Sequence, residues 1–116
     1  DLYHSMTVQV PIETRQGVHN VPISSIIMVE AQGKKVIVHT TARDYESIHT
    51  MQYWLDQLPV NRFFQTHRSF IINYEHITNF DHMLVHLSNG QFTAYLTKRK
   101  YSAFKGAYLL YLESTR

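Results

Sequence analysis

A predominantly β protein with one short internal helix and a C-terminal helix is the fold class that the 116-residue sequence predicts. Three observations lead there. Residues 7–13 (TVQVPIE) alternate, with Val8, Val10 and Ile12 on one face. Residues 34–41 (KKVIVHTT) are β-branched almost throughout, which suits a pleated, half-buried surface. Asn89-Gly90 stands between two further runs, 83–87 and 91–96, and Asn-Gly in that setting is a strong local hairpin signal.

Taken in order, the first strand carries Pro11, which donates no hydrogen bond and therefore belongs at a sheet edge or a strand end. A second strand, residues 17–23 (GVHNVPI), follows a Gln-Gly turn. Residues 25–31 (SIIMVEA) are more continuously apolar, and Gln32-Gly33-Lys34-Lys35 turns them into the β-branched run. The pattern then changes. Ile48, Met51, Leu55 and Leu58, with Trp54 beside them, have the three-and-four spacing of a helix, with Thr50 as N-cap and Pro59 as stop. Helical spacing returns at the C-terminus, where Tyr101, Phe104, Tyr108 and Leu112 form a stripe with Leu109 and Tyr111 at its margins. Thr97 is the N-cap expected for that helix, and Gly106 costs its interior about 1 kcal/mol relative to Ala.

The length suits one domain spanning residues 1–116, with a core at about 7–112 and no linker or repeat. There is no cysteine, so disulfides, thiolate metal sites and thiol redox switching are excluded. No apolar run approaches the length of a membrane span. The first ten residues have neither the basic head nor the apolar core of a signal peptide, so a soluble, cytoplasmic protein is expected. Lacking an initiator Met, it is expected to be a piece of something longer. The net charge of +2 hides a polarity: residues 1–58 carry four Lys/Arg and six Asp/Glu, and residues 59–116 carry seven and three. Such a field suits an anionic partner.

Catalytic constellations are poorly represented, so no enzyme is expected. With four glycines there is no phosphate-cradling loop, the acids form no obvious pair, and no Ser stands in a nucleophile elbow. His82 and His86 fall on one strand face, yet no third ligand follows at a recognisable spacing, so neither metal nor cofactor is expected. The basic residues are more informative because they fall at turns and element starts. Lys34 and Lys35 sit on a β-turn, and Arg68 interrupts the apolar run 63–73 (FFQTHRSFIIN). Lys98, Arg99 and Lys100 stand where a strand becomes a helix. Turn tips reach away from a scaffold, where phosphates or base edges can be touched. Two other binding readings fit the same residues. One is a β-rich interaction module docking an acidic partner, and the other is single-strand binding by stacking on Tyr95, Tyr101 and Tyr108.

Several segments together resemble the LytTR-type DNA-binding domain, the output module of many bacterial response regulators. They are IIMVEAQGKKVIVHTT, the short helix MQYWLDQLP, the segment FFQTHRSFIINYEHI and the terminal LTKRKYSAFK. The resemblance implies stacked short antiparallel sheets with small helices at the margins, and loops, rather than an inserted helix, in the grooves of double-stranded DNA. It puts Lys34 or Lys35 at the first DNA contact, Arg68 at the second, and Arg99 or Lys98 at the third, with Lys100 beside it. On that view Phe63, Phe64, Phe70, Ile71 and Ile72 anchor a rigid turn that holds Arg68 outward. His67 shapes the turn, Ser69 meets phosphate, and Asn73 forms the turn into Tyr74-Glu75-His76. The resemblance further implies an N-terminal receiver domain and two copies, as in a homodimer, bound to imperfect direct repeats in a promoter.

Overall fold

The computed structural model of the protein describes residues 8–115, so the expected strand start at Thr7 lies outside the described residues. Three antiparallel sheets are stacked. The first pairs β1 (Gln9–Thr14) with β2 (Gly17–Pro22), with Pro11 opposite Asn20. The central sheet has the order β5-β4-β3-β7-β6, built from β3 (Ile26–Gln32), β4 (Lys35–Thr40), β5 (Asp44–Ser47), β6 (Phe63–His67) and β7 (Phe70–Asn73). The third has the order β10-β9-β8, from β8 (Ile77–Phe80), β9 (Leu84–Leu87) and β10 (Phe92–Tyr95). Two helices complete the chain, α1 (Met51–Gln57) and α2 (Tyr101–Ser114).

The continuous apolar runs are explained by burial on both faces of the central sheet. In β7, Ile71 joins one core while Phe70 and Ile72 join the other. In β3, Ile26 and Val29 face the first core and Ile27 and Met28 the second, with a register irregularity between Ile26 and Met28. Strands with no solvent face have no place for alternation. The first core closes against β1, β2 and α1 through Ile12, Val21, Trp54 and Leu58. The second closes against the third sheet and α2 through Val85, Leu87, Ala94 and Phe104. Each fully buried aliphatic or aromatic side chain contributes about 1.5–3 kcal/mol.

Two buried polar side chains, Trp54 and Asn73, are satisfied by bonds that tie elements together. Trp54 donates its indole N–H to Ser47 Oγ (3.0 Å). Asn73, fully buried, donates from Nδ2 to the Ile26 carbonyl (2.8 Å) and accepts the Glu75 amide at Oδ1 (2.9 Å). Asn73 thus forms the turn into residues 74–76 and also ties that turn to β3.

Helix α1 has the expected cap: Thr50 Oγ1 accepts the Tyr53 amide (3.1 Å). It ends at Leu58 in extended backbone, because the residue before a proline is pushed out of the α region. Ile48, expected on the helical stripe, lies outside the helix and is exposed. The segment before it forms β5 by pairing with the open side of β4. At the C-terminus a 3-10 turn, Lys98–Lys100, precedes α2, so the Thr97 side chain makes no cap bond to the helix. Its hydroxyl is instead buried without a partner. The packed stripe of α2 is Tyr101, Phe104, Tyr108 and Tyr111, while Leu112 is exposed. Tyr111 meets Tyr74 (ring centroids 5.2 Å apart) and Phe104 meets Phe80 (4.9 Å).

Candidate nucleic-acid interface

The strand pairings decide where the basic turns go. β3 and β7 run antiparallel with Glu30 opposite Phe70, and the Ala31 amide donates to the Ser69 carbonyl (2.9 Å). The β3–β4 turn and the β6–β7 turn therefore emerge side by side. The strand-to-helix link is fastened to the outer edge of β6 by two bonds. The Thr97 amide donates to the Thr66 carbonyl (3.0 Å), and Lys100 Nζ donates to the Gln65 carbonyl (3.0 Å). All three basic tips thus lie at one end of the central sheet.

The first tip is a two-residue link in which Gly33 takes φ +63°, the left-handed first position of a tight hairpin turn that favours glycine. Lys34 sits on the turn and Lys35 opens β4 opposite Gln32, both exposed. The second tip, Arg68-Ser69, contains no glycine. Its shape comes from its surroundings: a register shift between Gln65 and His67, and His67 Nδ1 accepting the Ser69 amide (3.1 Å). That bond fixes the His67 tautomer with its proton on Nε2. Behind the turn, the rings of His67, Phe70 and Tyr95 pack against one another at 5.6–5.9 Å. Phe63, Phe70, Ile71 and Ile72 are buried, Phe64 packs partly buried beside them, and Arg68 is exposed. Ser69 is half-buried, its carbonyl occupied by Ala31.

The second and third tips share a depression of about 270 Å³ lined by Gln65, His67, Arg68, Thr97, Arg99 and Lys100. Lys98 is exposed and does not line it. Partial burial, and then the neighbouring Arg99, lower the pKa of the Lys100 ammonium. Among the described residues, none of the six Lys and Arg side chains on these tips is in a salt bridge. The nearby carboxylate of Glu30 is engaged, accepting from His39 Nε2 (2.8 Å) and Gln32 Nε2 (3.1 Å). The end of the sheet therefore presents a cluster of cations outside any of these salt bridges.

The match to known proteins follows this geometry. The family model described as the LytTr DNA-binding domain matches residues 16–108. The chain belongs to the LytTr DNA-binding domain family. This LytTr domain is 30% identical to the sensory transduction protein LytR of Staphylococcus epidermidis, over 67% of this chain and 31% of that protein. It is 28% identical to the transcriptional regulatory protein NatR of Bacillus subtilis, over 90% of this chain and 47% of that protein. A solved LytTr DNA-binding domain from Bacillus cereus superposes with a TM-score of 0.72 at 28% identity, covering 85% of this chain and 94% of that one. The match spans 31% and 47% of the length of these two curated relatives, less than half of each.

The stacking reading loses two of its three residues. Tyr101 and Tyr108 pack against the second core, which leaves Tyr95 as the exposed member of the proposed stacking trio. His82 lies flat on Tyr101 (centroids 4.0 Å), and among the described residues no cluster of three or more His, Asp or Glu could hold a metal. Asp81 closes the turn before β9, and its bonds from the Met83 and Leu84 amides (2.7 and 2.9 Å) hold its carboxyl below the usual range. No helix among the described residues is long and apolar enough to cross a membrane. Gln65 and Thr97 are the two wall residues that inspection of the chain does not single out for the interface. Only the β6 irregularity and the edge bonds bring them there.

Proposed function

We propose that this LytTr domain binds double-stranded DNA in a sequence-specific manner, with its three basic turns entering the major groove. It would be the effector domain of a bacterial, cytoplasmic transcriptional regulator in a two-component system. The supporting observation is the gathering of Lys34, Lys35, Arg68, Lys98 and Arg99 at one end of a sheet whose inner strands β3 and β7 are buried on both faces. Such tips are preorganised, so little side-chain and loop freedom is lost on binding. Arg68 has the planar fork to bind guanine in a bidentate way, the first lysines supply point charge to phosphate, and Ser69 adds a phosphate contact. The relatives' names, a sensory transduction protein and a transcriptional regulatory protein, agree with this role. Their greater length leaves room in them for an N-terminal receiver, whose activation would bring two copies onto direct repeats.

The test is selection of bound duplexes from a random pool, repeated with Arg68→Ala. The wild-type domain is expected to enrich one motif, and the variant to lose preference at one base position within it. No enrichment over random duplex, together with binding to an acidic protein surface, would replace this reading with the interaction module.

A further inference from the structure

In the sequence Lys100 is one of a run of three cations and looks like another phosphate contact. The structure gives its ammonium a different occupation. Lys100 Nζ reaches back across the link to the Gln65 carbonyl on the edge of β6 (3.0 Å), a part-buried bond spanning 35 residues of sequence. The acceptor lies beside the register shift that bends β6 into the Arg68 turn. Three residues earlier, at the start of the link, the Thr97 amide is fastened to the neighbouring Thr66 carbonyl. These bonds bracket the depression that Arg68 and Arg99 both line. The backbone bond fixes the start of the link. The lysine bond fixes its end, where the 3-10 turn passes into α2 with no side-chain cap.

We propose that Lys100 is a positioning residue for DNA recognition: its ammonium clamps the strand-to-helix link onto the edge of β6 and sets the spacing between Arg68 and Arg99. Resting on the DNA-binding reading, this gives the third tip a division of labour. Arg99 faces the partner, and Lys100 holds Arg99 in register with Arg68. The chemistry suits the task. A compact ammonium with three donors can bond a carbonyl inward at the end of a flexible stem, whereas loss of that bond frees both the link and the β6 irregularity. Misplacement of one tip by an ångström harms recognition of a base edge far more than attraction to a charged backbone, because base contacts specify and phosphate contacts only position.

The test compares Lys100→Met with Lys105→Met, which removes a charge from an exposed part of α2 outside the depression. Both variants should lose the same few-fold affinity for random duplex. Lys100→Met alone should lose about a further tenfold on the selected duplex, so that its specific-to-random ratio collapses. In the DNA-free protein, amide exchange at Arg68 and Ser69 should speed up in Lys100→Met and stay unchanged in Lys105→Met. Equal losses on specific and random duplex, with the salt slope lowered by about 0.9 relative to Lys105→Met, would make Lys100 a phosphate contact and overturn the proposal. Unchanged amide exchange would overturn it as well. If wild-type protein itself showed no preference for any duplex, the DNA-binding reading would fall, while the exchange measurement would still decide whether Lys100 clamps the turn.

Discussion

The β6–β7 and β9–β10 turns are built in opposite ways. The β9–β10 turn carries its bend in its own backbone, with Ser88, Asn89 and Gly90 all at positive φ (52°, 58° and 83°), and the Ser88 and Asn89 amides then donate to the His76 carbonyl and Thr78 Oγ1 (2.9 and 2.7 Å). The β6–β7 turn has no glycine and no positive φ, and it takes its shape from outside itself. His67 accepts the Ser69 amide, Ala31 binds the Ser69 carbonyl, and Thr97 and Lys100 hold β6 from the other side. A turn written in local sequence can be drawn without knowing the fold. A turn braced by two distant segments, β3 and the 97–100 link, exists only within the fold, and that bracing lets it hold an exposed arginine still.

Substitutions can press on this contrast. The largest effect is expected at Phe70→Ala, which removes a ring packed between His67 and Tyr95 at the root of the braced turn. It should destabilise the domain by about 3–5 kcal/mol, read as a shifted urea midpoint; a wild-type midpoint would show that the turn does not need its anchor. Next comes Arg68→Ala, expected to leave stability untouched and to cost about 1–3 kcal/mol on the selected duplex, measured by titration. Gly90→Ala should do the reverse. The added methyl meets nothing within 4 Å, so only the left-handed backbone resists it, at about 1–2 kcal/mol of stability with DNA affinity unchanged. Lys34→Ala should have the smallest effect, weakening all duplexes alike and lowering the salt slope by about 0.9. A loss confined to one sequence would make Lys34 a base reader.

The same contrast separates what could be read from the chain. Alternation in β1, the Thr50 cap and the Asn-Gly hairpin are local signals, and the structure keeps them. The continuous apolar run of β3 was legible too, whereas burial on both faces of β3 and β7 emerged only with the fold. β5 was illegible because Asp44 and Glu46 are poor strand formers, and it is made by the free edge of β4. The face of α2 was read one residue too far, at Leu112 instead of Tyr111, because both fit a helical stripe and only Tyr74 chooses between them. Thr97 looked like a cap until the intervening 3-10 turn moved the helix start beyond it. At the interface, residue types showed which side chains are cationic. Nothing local told that Arg99 would share a hollow with Arg68 or that Lys100 would turn inward, since both depend on a contact across 35 residues.

Because Ile26–Val29 and Phe70–Ile72 each face one packed core or the other, a substitution there disturbs a core whichever way it points, whereas an exchange at exposed Lys34 or Arg68 disturbs neither. If these tips read DNA as proposed, operator preference in such a scaffold drifts through a handful of exchanged residues with no refolding between one specificity and the next. The double burial that leaves the sheet intolerant of change is what leaves its reading end free to diversify.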